Sequence, residues 1–161
     1  SDVCSSDLKD DEMPRRTLTR DTRTYEFIVR YPHGTSAING YRRAARHFGL
    51  HTREDSTTIG SDATRLFVHR DAARLRAADR TLSAAYASND DSRIEDAEWW
   101  LAADSGVHWF EQDWNGWEPE LDEGALEHLG WRREMTERDG VVRVTLTRRA
   151  RASKPTPTRR R

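Results

Sequence analysis

The sequence predicts an α+β domain: a two-layer β-α-β-β-α core extended by a Trp-rich hairpin, a short helix and a C-terminal β-hairpin. Three observations carry that expectation. Apolar residues change period along the chain, from strand-like runs at 25–31 and 64–69 to spacings of three and four at 38–48 and 75–86. The turn dipeptides Asn115-Gly116 and Asp139-Gly140 each sit between strand-like runs. Gly49 and Gly130 stand where helices need a left-handed residue to stop.

Residues 25–31 are aromatic and β-branched, and Pro32-His33-Gly34 ends this first strand. Thr35 or Ser36 caps a helix to about Phe48, with Ile38, Tyr41, Ala45 and Phe48 on its apolar face. Gly40 lies inside that helix and weakens it by about 1 kcal/mol relative to alanine. Residues 50–58 are a strand candidate and 64–69 a better one. Asp71 then caps a helix with Leu75, Ala78, Leu82, Ala85 and Tyr86 inward. This order resembles the ferredoxin-like plan, which implies helices on one face of a single sheet.

A third helix is expected over 92–103, with Ile94, Ala97, Trp100 and Leu101 inward. Residues 107–114 and 117–121 form a hairpin over Asn115-Gly116, and Pro119 makes its second strand an edge, since proline cannot donate to a ladder. A short helix covers 122–129. The last hairpin, 131–138 with 141–148, pairs Met135 with Val144 and Arg133 with Leu146. It places Trp131, Met135, Val142, Val144 and Leu146 on one face. Its final strand is expected to complete the main sheet.

The domain therefore runs from 24 to 148. Residues 9–23 and the Arg-rich residues 149–161 are expected to be disordered. Ser1-Asp2-Val3-Cys4-Ser5-Ser6-Asp7-Leu8 is the in-frame translation of TCA GAC GTG TGC TCT TCC GAT CT, the end of a common sequencing adapter, so 1–8 are read as an artefact. Cys4 is the only cysteine, which leaves no disulfide framework or thiolate metal site. No metal or other cofactor is expected. No apolar run is long enough to cross a bilayer, and the expected location is cytoplasmic.

Arg outnumbers Lys 25 to 2. The excess suits phosphate recognition, and equally a GC-rich genome. Net charge is −1, but residues 89–127 hold thirteen acidic side chains against Arg93 alone, and 148–161 hold seven basic ones and no acid. Such blocks bear on partners rather than on fold.

Three sites follow. Trp99, Trp100, Trp109, Trp114 and Trp117 fall within nineteen residues of the acidic block. Aromatic rings among carboxylates suit a protein-binding face or a cationic ligand, with Trp109, Asp113, Trp114, Trp117 and Glu118 as the contact residues; the competing reading is that these tryptophans fill a core. The strand-to-helix turn His33-Gly34-Thr35 could attract an anion or place a small enzyme's acid–base group; an ordinary capped helix start explains it as well. Arg148, Arg149, Arg151, Arg159, Arg160 and Arg161 could neutralise nucleic-acid phosphates, or meet the acidic block of the same or a neighbouring copy.

The histidines form no sequence cluster: alternation puts His108 on the opposite strand face from Glu111 and Asp113. Residues 126–147 resemble the end of a MarR-like winged-helix domain, and 113–118 the ribonuclease E inhibitor family; neither implies site residues here. The leading expectation is a non-enzymatic binding or regulatory protein that meets a protein partner or itself. Nucleic-acid association through the tail and final hairpin comes second, and an enzyme at His33 third.

Overall fold

The computed structural model describes residues 22–30, 35–113, 116 and 118–149, with the backbone but not the side chains of Thr35 and Ser36. In chain order its elements are β1 (Thr22–Arg30), α1 (Thr35–His47), β2 (His51–Glu54), a 3-10 turn (Ser56–Thr58), β3 (Ala63–His69), α2 (Ala72–Ala87), α3 (Asp91–Ala103), β4 (His108–Asp113), β5 (Glu120–Leu121), α4 (Ala125–Leu129), β6 (Trp131–Arg138) and β7 (Val141–Arg149). The fold is mixed α+β. Of the segments expected to lie outside the domain, 1–8, 9–23 and 149–161, residues 1–21 and 150–161 are outside the described residues, as is the turn at 31–34; Thr22 and Arg23 instead open β1 and Arg149 ends β7, because each pairs with the other strand.

Two antiparallel sheets form, ordered β1-β7-β6 and β2-β3-β4-β5. This departs from the ferredoxin-like expectation of one sheet with helices on one face. The sequence contains the reason. β1 alternates, with Phe27 and Val29 buried and Glu26 and Ile28 exposed, so it suits a sheet with one face in water. β7 alternates to match: Val144 lies opposite Phe27, Val142 opposite Val29 and Leu146 opposite Tyr25. β3 instead buries three successive residues, Leu66, Phe67 and Val68, and so needs cover on both faces.

That cover divides the interior in two. Leu66, Val68 and Phe110 join α1 and the inner face of the first sheet in one core. Phe67 points the other way, into a second core with Leu75, Ala78, Leu82 and Ala85 of α2 and Ala97 and Leu101 of α3. Helices therefore flank the second sheet on both sides.

Within α1 the predicted face Ile38, Tyr41, Ala45 and Phe48 is buried, and Gly49 adopts φ +84. Gly40 is more than a weak point. A Cβ there would lie 2.2 Å from Phe27 Cδ2 and 2.5 Å from Phe27 Cγ, so the missing side chain is what lets α1 lie on β1.

Asp71 caps α2 by accepting from Ala73 N at 2.9 Å. Tyr86 departs from its predicted inward place: it is exposed and donates to Glu98 Oε2 at 2.9 Å. Asp79 takes a place among the buried residues of α2 that apolar periodicity did not assign. It accepts from Ser56 N (2.9 Å), Ser56 Oγ (2.8 Å) and Arg53 Nε (2.9 Å), which ties the 3-10 turn to α2. Burial alone would raise this carboxyl, but Ser56 and Arg53 hold it below its usual range.

The last hairpin has the expected register, Met135 opposite Val144 and Arg133 opposite Leu146, over Asp139 (φ 55) and Gly140 (φ 76). Met135 is exposed, unlike the other four residues of its predicted face. β7 does not complete a single main sheet; it is the centre of its own.

Candidate acidic groove at the hairpin

The β4–β5 hairpin is shorter than expected but keeps its register. Phe110 faces Leu121 and Glu111 faces Glu120, the offset that a turn centred on Asn115-Gly116 dictates. β5 is the edge of its sheet, as Pro119 implied. Gly116 N donates to Asp113 O (3.2 Å) and Asp113 Oδ1 (2.7 Å), and Gln112 Nε2 donates to Gly116 O. Gln112 Oε1 accepts from Ile38 N at 3.0 Å, so this buried amide joins the turn to the start of α1.

A cavity of about 320 Å³ opens here, lined by Ala63, Glu111, Gln112, Asp113, Gly116, Glu118 and Glu120. Four of these seven are carboxylates and none is basic. The volume is at the small end for ligand sites, suited to one long side chain rather than a large cofactor.

Glu118 is anchored in its wall. Tyr41 Oη donates to Glu118 Oε1 at 2.9 Å, and Arg133 Nη1 donates to Tyr41 Oη at 2.9 Å and to Glu118 Oε1. Glu118 Oε2 is buried and has no hydrogen-bond partner among the described residues. Burial raises the Glu118 carboxyl above its ordinary range, against the opposing pull of Arg133. It raises the Tyr41 hydroxyl too, with the charge of Glu118 acting the same way. Arg133 is disfavoured by burial, but Tyr41 and Glu118 hold its proton more firmly than usual.

Of the predicted contact residues, Asp113 and Glu118 meet in this groove. Trp109 does not line it; it is half-buried against the second core, 6.0 Å from the Arg65 guanidinium. Trp114 and Trp117 lie outside the described residues. The rival core reading holds in part for Trp100 and Trp109, which pack partly buried against the second core, whereas Trp99 is 65% exposed on α3.

His33 and Gly34 fall outside the described residues, and Thr35 is seen only as the first residue of α1. Arg148 and Arg149 end β7, with Arg148 Nη1 donating to Phe48 O at 2.8 Å; Arg151, Arg159, Arg160 and Arg161 are outside. Sequence reasoning missed Tyr41 and Arg133 as site residues. The signal was present for Arg133: the hairpin register set it opposite the buried Leu146, on the inward face, where an arginine needs a partner.

The groove is lined by carboxylates, so its charge is complementary to that of a cation. Among the described residues no three His, Cys, Asp or Glu side chains are arranged to hold a metal ion. No family model, curated protein or solved structure matches the chain.

Proposed function

We propose that this chain is a non-enzymatic binding protein whose acidic groove takes a cationic segment of a protein partner. One observation carries the reading: Glu118, half-buried among three further carboxylates, keeps a buried oxygen that has no partner among the described residues. An unmet buried acceptor is unfavourable, and an arriving guanidinium or ammonium would relieve it. The sequence beyond β7, residues 150–161 with Arg151, Lys154, Arg159, Arg160 and Arg161 and no acid, is such a segment, so a second copy of the chain is one source of the ligand.

A fluorescent peptide of residues 150–161 is the probe. Anisotropy is expected to show saturable binding that weakens with salt. Glu118→Gln should weaken it about tenfold, the scale of one charge-assisted bond of ~1.4 kcal/mol. Equal affinity for wild type and Glu118→Gln would remove the groove from the reading.

A second reading, nucleic-acid association, is favoured by the outer face of the first sheet. The strand registers put Arg30, Arg132, Arg138, Arg143 and Arg149 on this exposed face with only Glu26 and Glu134 to oppose them. Arg143 pairs with Glu26 at 3.0 Å. Basic residues of the fold thus lead directly into residues 150–161. Duplex binding in a salt series, with and without 150–161, tests it. If the face contacts phosphates, the double variant Arg132→Gln/Arg149→Gln should reduce the slope of log K against log salt by about 2. An unchanged slope would leave the fold without a part in it.

A further inference from the structure

A second cavity, of about 180 Å³, lies where five separate parts of the chain meet. Its polar lining comes from His69 at the end of β3, Arg70 just after it, His108 of β4, His128 of α4 and Arg148 of β7, and Gly106 forms part of the wall. Three of the six histidines of the chain converge here with two arginines, and among the described residues no carboxylate lines the space. We propose that this cavity binds a small phosphate-type oxyanion, as the free ion or as the head of a phosphate monoester.

The hydrogen bonds around the rim assign the role of each ring nitrogen. Asp71 N–H donates to His69 Nδ1 at 2.8 Å, so the neutral ring carries its proton on Nε2. Burial, helped by Arg74 and Arg70, keeps His69 below its ordinary range and thus neutral. Its Nε2 lies 3.7 Å from where a Cβ of Gly106 would stand, on the side of that cavity-lining residue. Gly106 has φ +73, so glycine is the residue that fits there.

His108 is held in the complementary sense. Its Nδ1 lies 2.7 Å from Asp122 Oδ2, and the Asp122 side chain is 3% exposed. The carboxylate orients the ring and takes Nδ1–H, leaving Nε2 free of that bond and able to meet a P–OH group. The ring of His128 stands 5.1 Å from that of His108. Arg148 is fixed by its bond to Phe48 O, and Arg70 is exposed at the cavity mouth.

Size and sign then select the ligand. The space equals the share of about six liquid waters, too small for a drug-sized molecule and ample for a tetrahedral oxyanion. Guanidinium forks and imidazole N–H groups are the donors that phosphate oxygens take best. This site shares no lining residue with the acidic groove and stands independently of the function proposed above.

Inorganic phosphate and ribose 5-phosphate, titrated separately into the whole chain with nitrogen-15 histidine spectra as the readout, test the proposal. Both should saturate, shifting the Nε2 signals of His69, His108 and His128 while His47 and His51 stay still. Tighter binding of ribose 5-phosphate than of phosphate assigns a monoester, and the reverse order the free ion. Arg70→Gln, an exposed change that leaves the fold intact, should weaken binding about tenfold, while Arg93→Gln, an equally exposed change on α3, should not. Shifts spread evenly over all the histidines, no saturation, or equal effects of the two arginine variants would overturn the assignment.

Discussion

Gly40→Ala is expected to destabilise the protein by about 2 kcal/mol, against the propensity that favours it. In an exposed helix the change would gain ~1 kcal/mol. Here the new methyl would sit 2.2–2.5 Å from the ring of Phe27, which is itself buried and packed edge-on to Tyr41 at 5.2 Å. Overpacking of this kind typically costs 1–3 kcal/mol through displaced side chains and backbone. A β1–α1 contact inside the first core cannot yield cheaply. Urea unfolding measures the loss. The double variant Phe27→Leu/Gly40→Ala separates the causes, because the smaller side chain removes the clash. It should be less impaired than the sum of the two single changes; plain additivity would mean that Phe27 is not the obstacle.

Gly40 also shows how far local reading reaches. Periodicity found the helix and its buried face, but a glycine's reason for being there is a tertiary contact between residues thirteen apart on different elements. The elements themselves were legible because each carries its own punctuation: Asp71 at a start, Gly49 and Gly130 at ends, Asp139-Gly140 in a turn. Their assembly was less so. Strand partners depend on which faces need cover, and the contrast between alternating β1 and the unbroken Leu66-Phe67-Val68 run was the available clue to two sheets.

The candidate sites divide in the same way. Asp113 and Glu118 were legible as acidic hairpin residues, but Tyr41 of α1 and Arg133 of β6 come from two other places and meet them only on folding. The His108–Asp122 pair was hidden for a different reason. The hairpin register sets Asp122 beside Trp109, with Asp122 N donating to Trp109 O at 3.3 Å. Strand alternation would then send its carboxylate to the Trp109 face. The chain leaves β5 at Leu121 to enter α4, and that turn brings the carboxylate to His108 instead.

Arg133→Met is expected to have the largest effect, a loss of about 3 kcal/mol at neutral pH. Methionine keeps the apolar stem but removes the cation beside Glu118. Removing one partner of a buried pair typically costs 3–5 kcal/mol, because the remaining charge is left desolvated. The lower end applies, since Arg133 and Glu118 are 24% and 22% exposed and water screens part of the interaction. The pH dependence identifies the cause. Glu118 has its folded pKa raised above the ordinary 4.5, with burial the leading reason. The folded state therefore binds this proton more firmly than the unfolded chain, and stability from this group falls as pH rises from 4.5 through the folded value. Without Arg133 that value rises further, so the variant should regain stability on mild acidification more than wild type does. Arg133→Met/Glu118→Gln provides the decisive comparison. A neutral amide can keep the bond to Tyr41 and has no charge to strand, so the double variant should recover most of the loss and show no such pH slope. If it stays as unstable as Arg133→Met, the loss lies in the packing of the arginine stem, and Glu118 is not the strained acceptor on which the cation-binding reading of the groove depends.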